Sequence, residues 1–135
     1  MTQEIAYRFI QALSTLEQSG EVEPIVAVFS ELCEIGTPAI PEKVHGKERA
    51  RDFWTAYRTA FRNVHSTFRN IVIGNHSIAL EWTTTGVNRS GKDIHYEGVT
   101  ILDIVGTQIT HLRTYFDSRV IPELFPQLAR AASAR

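Results

Sequence analysis

A single cysteine, Cys33, stands in a chain of 135 residues, so no internal disulfide can form and the fold has to rest on its core. Methionine is equally scarce, and five prolines and eight glycines are too few for a fibrous or low-complexity chain. An excess of charge is missing as well: 14 Lys and Arg face 15 Asp and Glu, for a formal net charge of -1. Without a basic surplus there is no electrostatic footprint for nucleic acid or for an anionic membrane surface. Long apolar runs are absent, and stretches such as Ile25 to Phe29 fall far short of the ~20 residues that cross a bilayer. The first twenty residues are polar at helical intervals and lack the unbroken apolar stretch of a secretory signal. The expectation is a cytoplasmic protein of one domain, 1–135, whose 43% hydrophobic content suffices for a core without staples.

What is present is a change of period. Ile5, Phe9, Leu13 and Leu16 recur at helical spacing, with Thr2 as a possible cap and Gly20 as a stop. A short helix follows Pro24, and Leu32 to Ile35 reads as a brief strand. The two prolines in residues 36–41 forbid any regular element there. A third helix runs from about Lys47 to Arg62, with Ala50, Phe53, Trp54, Tyr57 and Phe61 on its apolar stripe. From Val64 onward, β-branched and aromatic residues dominate and turn signals at 74–75, 88–91 and 106–107 mark off four strands, about 64–73, 77–87, 93–105 and 108–116. Three helices and an antiparallel meander make an α+β plan, with helices on one face of a curved sheet. The segment after residue 117 is expected to form a short helical turn with Pro122 near its start, followed by a frayed tail.

Several motifs invite chemistry that their context refuses. Gly86 to Lys92 has the glycine and lysine spacing of a phosphate-binding loop, but Asp93 follows where Ser or Thr should hold magnesium, and the segment joins two strands rather than opening a helix. Asn75-His76-Ser77 and Asn88-Arg89-Ser90 match the glycosylation pattern, yet both sit where turns favour Asn. The histidines, at 45, 65, 76, 95 and 111, show no metal-binding spacing, so no metal is expected. Cys33 lies in an apolar segment and reads as an inert buried thiol.

Two features can carry function. The aromatics Phe53, Trp54 and Tyr57 on the third helix, with Trp82 and Tyr96 on neighbouring strands, either pack the core or line an apolar cavity. At the end of the last strand, alternation puts His111, Arg113, Tyr115 and Asp117 on one face and Leu112, Thr114 and Phe116 on the other, provided no bulge intervenes. Asp117 has two readings: a desolvated acid/base at a cavity mouth, or a cap for the turn that follows.

The segments Val44 to Trp54 and Gly98 to Ile104, the latter leading through Gln108-Ile109-Thr110 to Arg113-Thr114-Tyr115-Phe116-Asp117, resemble the SnoaL-like branch of the nuclear transport factor 2-like superfamily. That group includes ketosteroid isomerases and limonene epoxide hydrolases. The resemblance covers about residues 3 to 128. It implies a cone: a strongly curved, mostly antiparallel sheet packed against three N-terminal helices around an internal apolar pocket, usually in a homodimer. Isomerases of this kind carry a tyrosine that falls at about Phe9, a base near Gly36 or Thr37 and an acid near Thr100. None of these positions holds the needed group, although Glu34 is close. The hydrolases use an Arg and an Asp that align with Trp82 and Thr84, and only Asp117 of their set remains. In SnoaL-like cyclases the closing aspartate is the acid/base of an aldol closure, and Asp117 matches it. The resemblance therefore implies a cofactor-free isomerase or cyclase acting on an apolar, oxygenated small molecule, or a non-catalytic binding or dimerisation module. Asp117 would be catalytic, and Phe9, Phe53, Trp54, Trp82, Thr84, Tyr96 and Tyr115 would contact the ligand.

Overall fold

A computed structural model describes residues 2–124. The helix α1 (Thr2–Ser19) buries Ile5, Phe9, Leu13 and Leu16 on one side. It stops at Gly20, whose φ of +81° is open to glycine and whose N–H donates to the Leu16 carbonyl at 2.9 Å. Thr2 is not the cap expected of it. It is already helical, and its hydroxyl donates to the Asn75 carbonyl, which ties the helix start to the turn at residues 74–76. The short α2 (Glu23–Ala27) carries Pro24 in its first turn, where the missing N–H costs nothing.

Next come β1 (Phe29–Gly36), β2 (Val44–His45), α3 (Lys47–Thr59), β3 (Phe61–Ile73), β4 (Ser77–Asn88), β5 (Asp93–Val105) and β6 (Gln108–Phe116). A 3-10 turn (Ser118–Val120) leads into α4 (Ile121–Leu124), with Pro122 near its start as expected. The frayed tail expected after it lies outside the described residues. Three boundaries differ from the sequence reading. β1 is longer than a four-residue piece because Phe29 joins the sheet beside Ile109. The two-residue β2 went unforeseen, since its pairing with Glu34 and Ile35 is long-range and leaves no periodic trace. The third helix ends at Thr59: Phe61 turns into the sheet and is fully buried with Val64, Ile94 and Leu124.

The sheet runs β2-β1-β6-β5-β4-β3. Every pairing is antiparallel except that of β1 with β6, which makes the sheet mixed, and it stays unclosed. Register shifts in β3 and opposite Ile104 insert extra residues, and such bulges sharpen the bend of a curved sheet. α1 packs on β3 and α3 on β1, so both helices cover the concave side. The main core gathers Ile5, Phe9 and Leu16 from α1 with Phe29, Ile35, Leu80 and Leu102 from the sheet, and each such side chain contributes roughly 1.5–3 kcal/mol by leaving water. Among the described residues no helix is long and apolar enough to cross a membrane.

Two glycines are fixed by packing, Gly86 against the Asn63 carbonyl and Gly98. Gly98 on β5 faces the Trp82 ring, and a Cβ there would lie 2.8 Å from the ring and against the Tyr115 carbonyl. We predict that Gly98→Ala destabilises the fold by about 1–3 kcal/mol, read as a lowered urea midpoint; an unchanged midpoint would mean that Trp82 is not held over Gly98.

Candidate functional site

The concave face and the helices enclose a cavity of about 510 Å³, within the range that suits a small ligand. Strand alternation explains its lining. Ser66 and Phe68 of β3, Trp82 and Thr84 of β4, Tyr96 and Thr100 of β5, and Thr114 and Phe116 of β6 all point inward. The helices add Phe9 and Leu13 from α1 and Phe53, Trp54 and Tyr57 from α3, and Leu124 of α4 closes one side.

The aromatic rings form two contiguous sets. Trp54 meets Phe9, Phe53 and Tyr57 edge-on, with centroids 5.0–6.0 Å apart. Trp82, Tyr96 and Phe116 touch one another at 5.3–6.4 Å. Such tilted contacts add stability beyond area burial. The Trp54 indole N–H is buried and has no acceptor among the described residues.

Polar groups on the wall are joined in two hydroxyl pairs. Ser66 and Thr84, partners across β3 and β4, lie 2.7 Å apart. Behind them Glu17, only 4% exposed, accepts from the Tyr57 hydroxyl at 2.7 Å, the Ser66 hydroxyl at 2.6 Å and the Ser66 N–H at 2.8 Å. Thr100 and Thr114, partners across β5 and β6, lie 3.1 Å apart, and Thr100 also accepts from the Trp82 indole N–H at 2.9 Å. Burial pushes the Tyr57 phenol well above its ordinary range, with the charges of Tyr96 and Glu17 adding to it. Burial, then the Glu17 charge, does the same at Tyr96. Both phenols are therefore hydrogen-bonding groups rather than proton donors to solvent at neutral pH.

Of the residues singled out from sequence, Phe9, Phe53, Trp54, Trp82, Thr84 and Tyr96 come together on this cavity; Tyr115 and Asp117 do not. The alternation expected of β6 places Leu112, Thr114 and Phe116 inward, so Tyr115 points to the other face and is 55% exposed. His111 and Arg113 share that outer face, where Arg113 pairs with Asp103 at 2.7 Å and His111 meets Glu34 at 3.2 Å. Asp117 follows the strand end and stands where a cap stands. It accepts from the Arg119 N–H at 2.9 Å and from the Arg119 guanidinium. The guanidinium, then that N–H, hold its carboxyl down at about 2. An exposed carboxylate so firmly ionised is a weak proton acceptor, the opposite of the raised acid expected at a cavity mouth. The sequence reading missed Glu17, Ser66 and Tyr57's partner role, although Glu17 stands four residues after Leu13 on the buried stripe. Cys33 is buried, and its thiol is pushed up by burial. Among the described residues no three His, Cys, Asp or Glu side chains are placed to hold a metal ion.

Comparison with known proteins agrees with this fold. Residues 7–112 match the family model of the SnoaL-like domain, a stretch that includes the Glu17 cluster and ends before Asp117. Among solved structures, the chain is similar to an NTF2-like protein of Anabaena variabilis, with 20% identity over 86% of this chain and 89% of that one and a TM-score of 0.77. It is also similar to a Catenulispora acidiphila protein with a ketosteroid isomerase-like fold, in complex with trimethylamine, at 18% identity over 87% and 88% with a TM-score of 0.73. A third, TerC co-crystallised with polyporic acid, shares 14% identity over 89% and 97% with a TM-score of 0.75. At these identities the likeness is one of fold. No curated protein matches the sequence.

The capping role has a signed consequence. Asp117 has a folded pKa of about 2, below its ordinary value near ~4. It therefore lends stability above pH ~4 that is lost as pH falls through about 2. We predict that Asp117→Asn is less stable than the parent at neutral pH and that the two converge on acidification towards pH ~2. A gap that widens in acid would restore the reading of a desolvated base.

Proposed function

Because the chain belongs to the SnoaL-like domain family, we propose that it is a small-molecule-binding domain that takes an apolar compound with a polar head into the concavity of its sheet. The observation that carries this reading is the aromatic cavity of about 510 Å³, whose apolar walls are interrupted by a few hydroxyls placed to orient one ligand. The two solved relatives that hold trimethylamine and polyporic acid support small-molecule binding as the use of this fold. The geometry favours binding over proton transfer by Asp117, because that carboxylate is outside the cavity lining and bound to Arg119. The cofactor-free cyclisation or isomerisation implied by resemblance is then a second reading, and it would need an acid/base other than Asp117.

Both tryptophans of the chain line the cavity, so their fluorescence reports on its occupancy. We predict saturable quenching by a bicyclic ketone such as decalone, together with a raised melting temperature. Ala60→Leu, which fills the cavity from the end of α3, should weaken both responses about tenfold or more while leaving the fold intact. Unchanged affinity in that variant would place the ligand elsewhere, and no saturable response to any ketone, phenol, alcohol or amine would remove the binding function.

We also propose a homodimer, as the family resemblance implies, formed through the outer sheet face where Tyr115 and Val72 are exposed. Sedimentation at the mass of two chains, shifted to one chain by Tyr115→Glu, is expected; a monomer at all concentrations would remove this proposal.

A further inference from the structure

The cavity wall can be counted in protons. Tyr57 and Ser66 each own one hydroxyl proton, and both are given to Glu17. Thr84 lies 2.7 Å from Ser66, whose only proton is already spent, so Thr84 must donate to Ser66. This corner of the cavity is left with no proton to offer: what Tyr57 and Thr84 turn towards a ligand is lone pairs, one hydroxyl layer above a carboxylate. Among the described residues the carboxylate itself has no cation. None of the ion pairs among the described residues includes Glu17, although it is almost fully buried. Buried charges are as a rule paired, because an isolated one loses its hydration without return.

The remaining walls are of the kind that stabilise a cation without pairing with it. Trp82 and Tyr96 stand side by side on the sheet, with Tyr57 and Phe68 on the same cavity, and the faces of such rings attract ammonium groups, Trp most strongly. We propose that the polar head of the ligand is a protonated amine, seated at Thr84 and Tyr57 over Glu17 and flanked by Trp82 and Tyr96, with an apolar body filling the rest of the cavity. The ammonium N–H groups would donate to the two hydroxyl oxygens, and its charge would offset that of Glu17. Glu17 is in this role a positioning residue, acting through Tyr57 and Ser66. The proposal rests on the reading that the cavity holds a small molecule and specifies the chemistry of its polar head.

The test compares cyclohexylmethylamine, protonated at neutral pH, with the neutral and nearly isosteric cyclohexylmethanol, each titrated against tryptophan fluorescence of the whole chain. The amine should bind about tenfold or more tightly than the alcohol, and Glu17→Gln should remove most of that preference. The wild-type ratio alone decides the matter if Glu17→Gln does not fold. Equal binding of the two probes by the wild type would overturn the cationic head while leaving the cavity reading intact. An amine preference that survives in a folded Glu17→Gln would overturn the assignment to this corner. Saturable binding of neither probe would overturn the cationic head, and a saturable response to decalone would then show that the cavity reading still stands.

Discussion

The constraint on which the rest depends is the satisfaction of one buried carboxylate. Glu17 sits near the C-terminal end of α1, yet its three donors come from α3 and β3. Leaving any of them unmade would strand a charge or a polar group in an apolar interior, at a cost of about 1–3 kcal/mol for each neutral partner and more for the charge. The helix cannot rotate, slide or lift from the sheet without breaking this set. The result is that Glu17 ties α1, α3 and β3, all of which bound the cavity, to one another.

That arrangement also explains why the sequence disclosed the scaffold more readily than the site. The helical stripe of α1 and the turn signals at 74–75, 88–91 and 106–107 are local, and local periodicity placed β4, β5 and β6 within a residue of their observed bounds. Trp82 and Tyr96 stand out as aromatics on neighbouring strands, Thr84 enters only through the resemblance to the hydrolases, and it is the folded sheet that puts all three on the cavity wall. Tyr115 was misplaced because alternation states that two faces exist, and only the third dimension says which is concave. Glu17 carried a signal, a charge on an otherwise apolar stripe, but its meaning depends on Ser66, 49 residues away, and no spacing rule reaches that far. β2 and the parallel pairing of β1 with β6 are equally non-local.

Asp117 acquires a different importance from the one its motif suggests. It fixes the 3-10 turn after β6, and that turn delivers α4, whose Leu124 is buried against Phe61, Val64 and Ile94 and lines the cavity. A second clasp holds the same segment from the β4–β5 turn. Asn88 donates to the Glu123 carbonyl at 2.6 Å while its own side-chain oxygen accepts from the Ser90 and Lys92 N–H groups, and Lys92 pairs with Glu123 at 3.0 Å. The residues of the phosphate-loop look-alike are thus spent on holding one wall of the cavity, which is why Asn at 88 and Gly91, at a φ of +86°, are the residues a tight turn wants there.

The two hydroxyl pairs on the concave face differ in a way that composition conceals. Ser66 with Thr84 and Thr100 with Thr114 are each a cross-strand pair of similar side chains, and each spends one proton on its internal bond. The first pair loses its other proton to Glu17, an acceptor, and has none left. The second pair receives a proton from the Trp82 indole, a donor, so whichever threonine donates to the other, one hydroxyl proton remains to be given. Tyr96, with no hydrogen-bond partner for its hydroxyl among the described residues, adds another. The cavity is therefore polarised by what lies behind its hydroxyls: lone pairs over Glu17 on one side, spare protons beside Trp82 on the other. A compound with a donor at one end and an acceptor at the other would be read in one orientation, because reversing it would set donor against donor and leave buried lone pairs facing each other, a mismatch that desolvation makes expensive.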